Sequence, residues 1–207
     1  MPVHTDTISA WLSRFEGREL TAYVPCQRRN DTGRAGRTGP AVCGPVIGAS
    51  GVTIGSGLDL GQQRLADLER MNIPPELRQL FRPYLGKRRE AARAALAAAP
   101  LAITEAQCAA LDAAVHGDYI RRAGAVYESR AGNAGGAPFA HLPPQAQTVI
   151  VSLYYHLGRY DGDPGYPVLW GHLIRNDWAS AARELQTGFR RFASRRAREG
   201  RLLAELC

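Results

Sequence analysis

The sequence contains a single lysine, Lys87, so the surplus of 26 basic over 19 acidic side chains is carried by arginine. Arginine stays protonated and reads oxyanions through a planar fork. A net charge of +7 draws the chain toward polyanions, whether nucleic acid, anionic lipid or the teichoic and carboxylate groups of a bacterial wall, without choosing among them. No stretch approaches about 18 consecutive apolar residues, which excludes a spanning helix and argues against membrane insertion. The opening MPVHTDTISAWLSRFEG has neither a basic n-region nor an apolar h-region, so it does not read as a Sec signal. A substrate outside the cytoplasm would then need another route of delivery. The four cysteines, Cys26, Cys43, Cys108 and Cys207, lack C-x-x-C spacing. His116, His141, His156 and His172 have no histidine partner at i+3 or i+4, so neither a metal nor another cofactor is expected. Cys26 and Cys43 bracket one Gly- and Arg-rich loop. They are either two free thiols or a bridge that adds about 3 kcal/mol.

The 207 residues, 45% apolar and 22% charged, suit one globular domain able to bury a core without staples. Ile8, Trp11, Leu12 and Phe15 fall on one helical stripe, with Thr5 or Thr7 as cap and Gly17 as its end. From Tyr23 to Gly51 the composition predicts a long exposed loop. Val52, Thr53 and Ile54 form a short strand between glycines, with Thr53 on a polar face. Leu65, Leu68 and Met71 open a helical pattern that Pro74 and Pro75 stop. Further helices are expected near Pro75 to Tyr84, from Arg88 to Ala99, and from Thr104, whose Thr-x-x-Gln box is a start signal. AGNAGGAPFAHLPP is a break before a helix containing QTVIVSLYYHL; the Asp161 to Pro167 turn and a helix around Trp178 follow. The predicted fold class is α+β, mostly helical. A small β-containing N-terminal lobe with the first helix, about residues 1–65, joins a larger helical C-terminal lobe, about 66–207.

Two carboxylates stand out. Glu16 follows Phe15 at the margin of the apolar stripe, where desolvation would raise its pKa as a general acid requires; a solvated or arginine-paired helix-terminal Glu is the plainer alternative. In GVTIGSGLDLGQ, Gly51 to Gln62, four glycines allow a strand to end, turn and admit a ligand to the backbone. The P-loop lysine and the dinucleotide glycine spacing are both missing. Asp59 can serve as a helix cap with Gln62, and a cap carboxylate is held ionised by amides and dipole, as a base must be. An acid and a base with divergent environments form the pattern of a glycoside hydrolase, and Thr53 could help hold the attacking water.

FEGRELTAYVP, with Glu16, Gly17, Leu20 and Tyr23, resembles the opening motif of phage-type lysozymes, and Thr53-Ile54-Gly55 matches their Thr-Ile-Gly. The fuller SGVTIGSGLDLGQ looks like the version in pesticin and related bacterial toxins, where a threonine and an aspartate six residues later complete the site. SLYYHLG, the Trp178 helix and RRAREGRLL resemble closing helices of that family, the final arginines being structural or wall-binding.

The resemblance implies a lysozyme-like fold and a muramidase cleaving the β-1,4 bond between N-acetylmuramic acid and N-acetylglucosamine, without cofactor. Glu16, Asp59 and Thr53 would be catalytic; Tyr23, Gly55 and Tyr155 would bind substrate. The implied partners are peptidoglycan strands, a cognate immunity protein and a secretion-system carrier, for a monomer made in the cytoplasm and acting in the target's periplasm or wall. A phage endolysin would use the same chemistry. In the phage enzymes the catalytic aspartate precedes the threonine, near the position of Pro25. Asp31 is the nearest acid there and stands as the fallback. The Cys26–Cys43 insertion is a second departure. The rival reading, a basic module for nucleic acid or anionic surfaces, rests on Arg190, Arg191, Arg195, Arg196 and Arg198, yet lacks interleaved aromatics and any helix-turn-helix pattern.

Overall fold

The computed structural model describes residues 2–28, 43–131, 136–157 and 167–207. Asp31 and most of the turn expected at Asp161 to Pro167 lie outside them. The chain forms two compact units, Met1–Phe15 with His116–Cys207, and Glu16–Val115.

The chain opens with α1 (Thr5–Leu12). The helix stops earlier than its apolar stripe suggested: Arg14 and Phe15 donate to Trp11 and Leu12 carbonyls three residues back, a tightening typical of helix ends. Glu16 therefore sits in a bend beyond the helix rather than in its last turn. Thr5 and Thr7 lie inside the helix, and the preceding His4 sends its backbone N–H to Gln147 Oε1 at 3.0 Å.

In the Glu16–Val115 unit, β1 (Glu19–Tyr23), β2 (Cys26–Arg28), β3 (Cys43–Val46), β4 (Thr53–Gly55) and β5 (Leu58–Asp59) make two antiparallel sheets, ordered β1-β4-β5 and β2-β3. The ends of the expected loop are thus strands, and a Cys26–Cys43 disulfide joins them. β1 alternates: Glu19, Thr21 and Tyr23 face out while Leu20 and Ala22 turn in, as a strand covered on one side must. Val52 and Ile54 are fully buried, and Thr53, expected on a polar face, is buried too, at 4% exposure. Helices α2 (Leu65–Arg70), α3 (Pro75–Phe81) and α4 (Arg89–Ala98) follow. Asn72 in a left-handed conformation ends the first, and Pro75 opens the second.

The helix α5 (Glu105–Ala131) begins as its sequence predicts. Thr104 Oγ1 accepts from Gln107 N–H at 3.2 Å while Gln107 Oε1 accepts from Thr104 N–H at 2.9 Å, a reciprocal capping box. The boundary between the units falls within this helix, after Val115.

The other unit is helical: α1, the remainder of α5, α6 (Pro144–Leu157), α7 (Pro167–Ile174), α8 (Trp178–Thr187) and α9 (Ala193–Ala204). α6 is buried continuously from Ala146 to Tyr154, and α1 and α9 both pack on it. Ile8 and Leu12 share its core with Val149 and Leu153. The first helix therefore groups with the C-terminal helices, while α2 to α4 group with the strands. One buried charged set is paired here: Glu199 accepts from the Ser152 hydroxyl at 2.6 Å and pairs with Arg196 at 3.0 Å and Arg195 at 3.4 Å. Removing either side of such a buried set leaves an uncompensated charge, which costs about 3–5 kcal/mol.

Candidate active site

Asp59 ends β5 and caps the short 3-10 turn Leu60–Gln62. Its carboxylate accepts the Gly51 N–H on both oxygens, at 3.0 and 3.1 Å, and the Gly61 N–H on Oδ1 at 2.9 Å. Backbone amides aimed at a carboxylate fix its orientation. The capping role read from the sequence is half present, because Gln62 instead donates its amide to the Ala49 carbonyl. The cradle depends on two glycines in contact. A Cβ on Gly51 would lie 2.5 Å from Gly61 Cα and 2.6 Å from Asp59 Oδ1, and one on Gly61 would strike the Lys87 carbonyl. These glycines are required by the close approach of one backbone segment to another, where their sequence pattern had suggested the approach of a ligand.

Strand register sets three of the candidate residues in one row: Tyr23 is opposite Thr53, and Thr53 is opposite Asp59. Directly paired residues send their side chains to the same face of a sheet. Thr53 Oγ1 donates to the Gly51 carbonyl at 3.4 Å, so its proton is committed and its lone pairs remain for an incoming O–H.

Glu16 is half-buried in the bend before β1. It belongs with this row electrostatically: the Tyr23 phenol is held above its usual pKa first by partial burial of the ring and then by the negative charges of Glu19, Glu16 and Asp59. Glu16 and Asp59 thus act on the same hydroxyl, which stays protonated as a donor. Glu19 was missed in reading the sequence, although the alternation of ELTAY puts it on the same outward face as Tyr23.

A second set of residues, also not singled out beforehand, positions this one. Arg18, two residues after Glu16, reaches α5, pairing with Glu105 at 3.1 Å and Asp112 at 3.6 Å. Asp112 Oδ1 in turn accepts the Ser56 N–H of the β4–β5 turn at 3.2 Å. One carboxylate therefore holds both the segment carrying Glu16 and the turn leading to Asp59. Gly55 lies in this turn with φ +62°, and a Cβ there would meet Leu111 Cδ2 at 2.9 Å. It serves close packing and the left-handed turn.

Tyr155 lies in the helical unit, packed against Tyr119 and His116 with ring centroids 4.5 and 5.8 Å away. The arginine cluster of the rival reading divides there: Arg195 and Arg196 are 7% and 1% exposed and engaged with Glu199, while Arg190, Arg191 and Arg198 are exposed. It is not a continuous cationic surface.

A family model described as "Pesticin: Bacterial toxin homologue of phage lysozyme, C-term" matches residues 7–179. No curated protein matches the chain. The family match runs through every candidate residue from Glu16 to Tyr155 and covers most of the sequence, in keeping with a mostly helical fold bearing a small antiparallel sheet. The chain belongs to the pesticin family of bacterial toxins homologous to phage lysozyme.

Proposed function

We propose that this protein is a muramidase, a single catalytic domain that hydrolyses the β-1,4 bond between N-acetylmuramic acid and N-acetylglucosamine in peptidoglycan. The observation that carries the reading is the strand row that sets Thr53 between Tyr23 and Asp59, with Glu16 in the bend just before the first strand of that row. In this scheme Glu16 gives its proton to the leaving glycosidic oxygen. Asp59, oriented by the Gly51 and Gly61 amides, takes a proton from water. That water donates one O–H to Asp59 and the other to Thr53 Oγ1, leaving its lone pair for the anomeric carbon. Such a pair acts with inversion when its carboxyls are about 6.5–9.5 Å apart. Tyr23 and the Gly55 backbone line the glycan.

No added cofactor is required by these steps. The target is a polymer of the bacterial envelope, so the protein acts after delivery outside the producing cytoplasm, and the Cys26–Cys43 bridge suits an oxidising compartment. A secretion-system carrier and an immunity protein that closes the site in the producer belong to this reading. Zymography on peptidoglycan tests it: the native protein should clear the gel and Glu16→Gln should not. An active Glu16→Gln protein would remove Glu16 from the reaction. Salt-sensitive DNA binding without any clearing would favour the basic-module rival.

A further inference from the structure

The helical unit carries a cavity of about 400 Å³ between α1 and α9, floored by Trp11, Phe15 and Leu202 and rimmed by Arg14, Arg198 and Arg201. It continues into a second of about 450 Å³ that shares Trp11, Arg14 and Leu202 and reaches His4 and Thr148. The three rim arginines are exposed, and among the described residues none of them is in an ion pair. Arg14 lies over the Trp11 ring at 5.7 Å and Arg198 over the Phe15 ring at 5.6 Å. Stacking of this kind orients a guanidinium and leaves its N–H edge to read an oxyanion. One carboxylate, Glu205, shares the rim and accepts from Gln145 Nε2 at 3.4 Å.

We propose that this groove binds the stem peptide of peptidoglycan, an inference that rests on the muramidase reading. The ligand it fits has several carboxylates, at least one amine and small apolar side chains between them. The stem peptide, with its acidic D-residue, diamino acid and alanines, has that composition: its carboxylates meet Arg14, Arg198 and Arg201, its amine meets Glu205, and its methyl groups lie on Trp11 and Leu202. Nucleic acid is a poorer match. Single-strand recognition stacks bases on open aromatic faces, whereas arginines cover faces of these rings.

Calorimetric titration with the free tetrapeptide, which has no sugar, tests the groove apart from catalysis. The native protein should bind it with an affinity that falls as salt rises. The triple variant R14A/R198A/R201A and the single R198E should each bind at least tenfold more weakly, with melting temperatures close to native as the control. No binding by the native protein, or equal binding by natively folded variants, would overturn the proposal. Equal loss of affinity for tetrapeptide, teichoic acid and an oligonucleotide would also overturn it, since the groove would then be a general anion patch. A native protein that lyses walls but does not bind the tetrapeptide counts against the groove alone; absence of wall lysis in the native protein counts against the muramidase reading.

Discussion

Asp59 takes the backbone N–H of Gly51 on both carboxylate oxygens, at 3.0 and 3.1 Å. The acid proposed as base is therefore held by the segment just before the strand that carries Thr53 rather than by a charged partner, and its orientation depends on how closely the chain at Gly51 approaches the chain at Gly61.

Gly51→Ala should break this arrangement, because the added methyl group has nowhere to go between Gly61 and the carboxylate. Overpacking of this kind costs about 1–3 kcal/mol, and activity should fall further than stability since Asp59 is displaced directly. Thermal melting and wall-clearing rates measured together check this. A variant with native activity would show that Asp59 needs no such support.

Asp112 should matter to activity without touching substrate. Asp112→Ala removes the acceptor for the Ser56 N–H and a partner of Arg18, with an expected loss of about 1–3 kcal/mol and at least tenfold in clearing rate. Asp112→Asn keeps an acceptor for Ser56 and should recover most of the stability. Its residual activity defect would measure how far the charge toward Arg18 sets the Glu16 segment. Full activity in both variants would leave Asp112 without a positioning role.

Reduction should loosen the strand-bearing unit. The Cys26–Cys43 bridge closes a loop with a sequence separation of 17, and a closure of that length contributes about 3 kcal/mol. The melting temperature should drop on adding reductant and be unaffected by it in the Cys26→Ser/Cys43→Ser protein. A native protein indifferent to reductant would contradict the pairing.

Stability should also depend on pH through His156. Burial, followed by the charges of Arg195, Arg196 and Arg191, lowers its pKa from 6.5 to about 4, and Arg196 donates to Nδ1 at 3.0 Å, which a protonated Nδ1 could not accept. Between pH 6.5 and about 4 the unfolded chain binds a proton that the folded chain refuses, so this contribution to stability is present above the window and is lost as pH falls through it. Glu199, whose pKa burial raises, acts in the opposite sense, so the comparison with His156→Asn isolates the histidine. The variant, whose amide oxygen can replace Nδ1, should lose less stability over that range than native protein. Identical pH profiles in chemical denaturation would rule the effect out.

Much of this was legible in the sequence where a local rule decided the outcome. The Thr104 box, the Ala-rich helix and the Pro75 start appear as read, because caps and prolines act within a few residues. The candidate acid and base were legible as motifs. The strand row was not, since pairing Tyr23 with Thr53 depends on register across a long insertion that composition reads only as loop. The first helix ends before Glu16 although its periodicity runs on to Phe15, because an apolar stripe marks a buried face and not helical geometry. Asp112 carried no local sign: its partners Arg18 and Ser56 become neighbours only in the folded unit.

The most direct test of the central claim is mass spectrometry of the muropeptides released from purified peptidoglycan by native and Glu16→Gln protein. The account expects hydrated disaccharide peptides ending in a reducing N-acetylmuramic acid from the native protein, and release by the variant lowered by about 10²–10⁴-fold, the usual worth of a general acid. Anhydro products would mean that no water attacks and Asp59 is not its base, and undiminished release by the variant would mean that the proton comes from elsewhere.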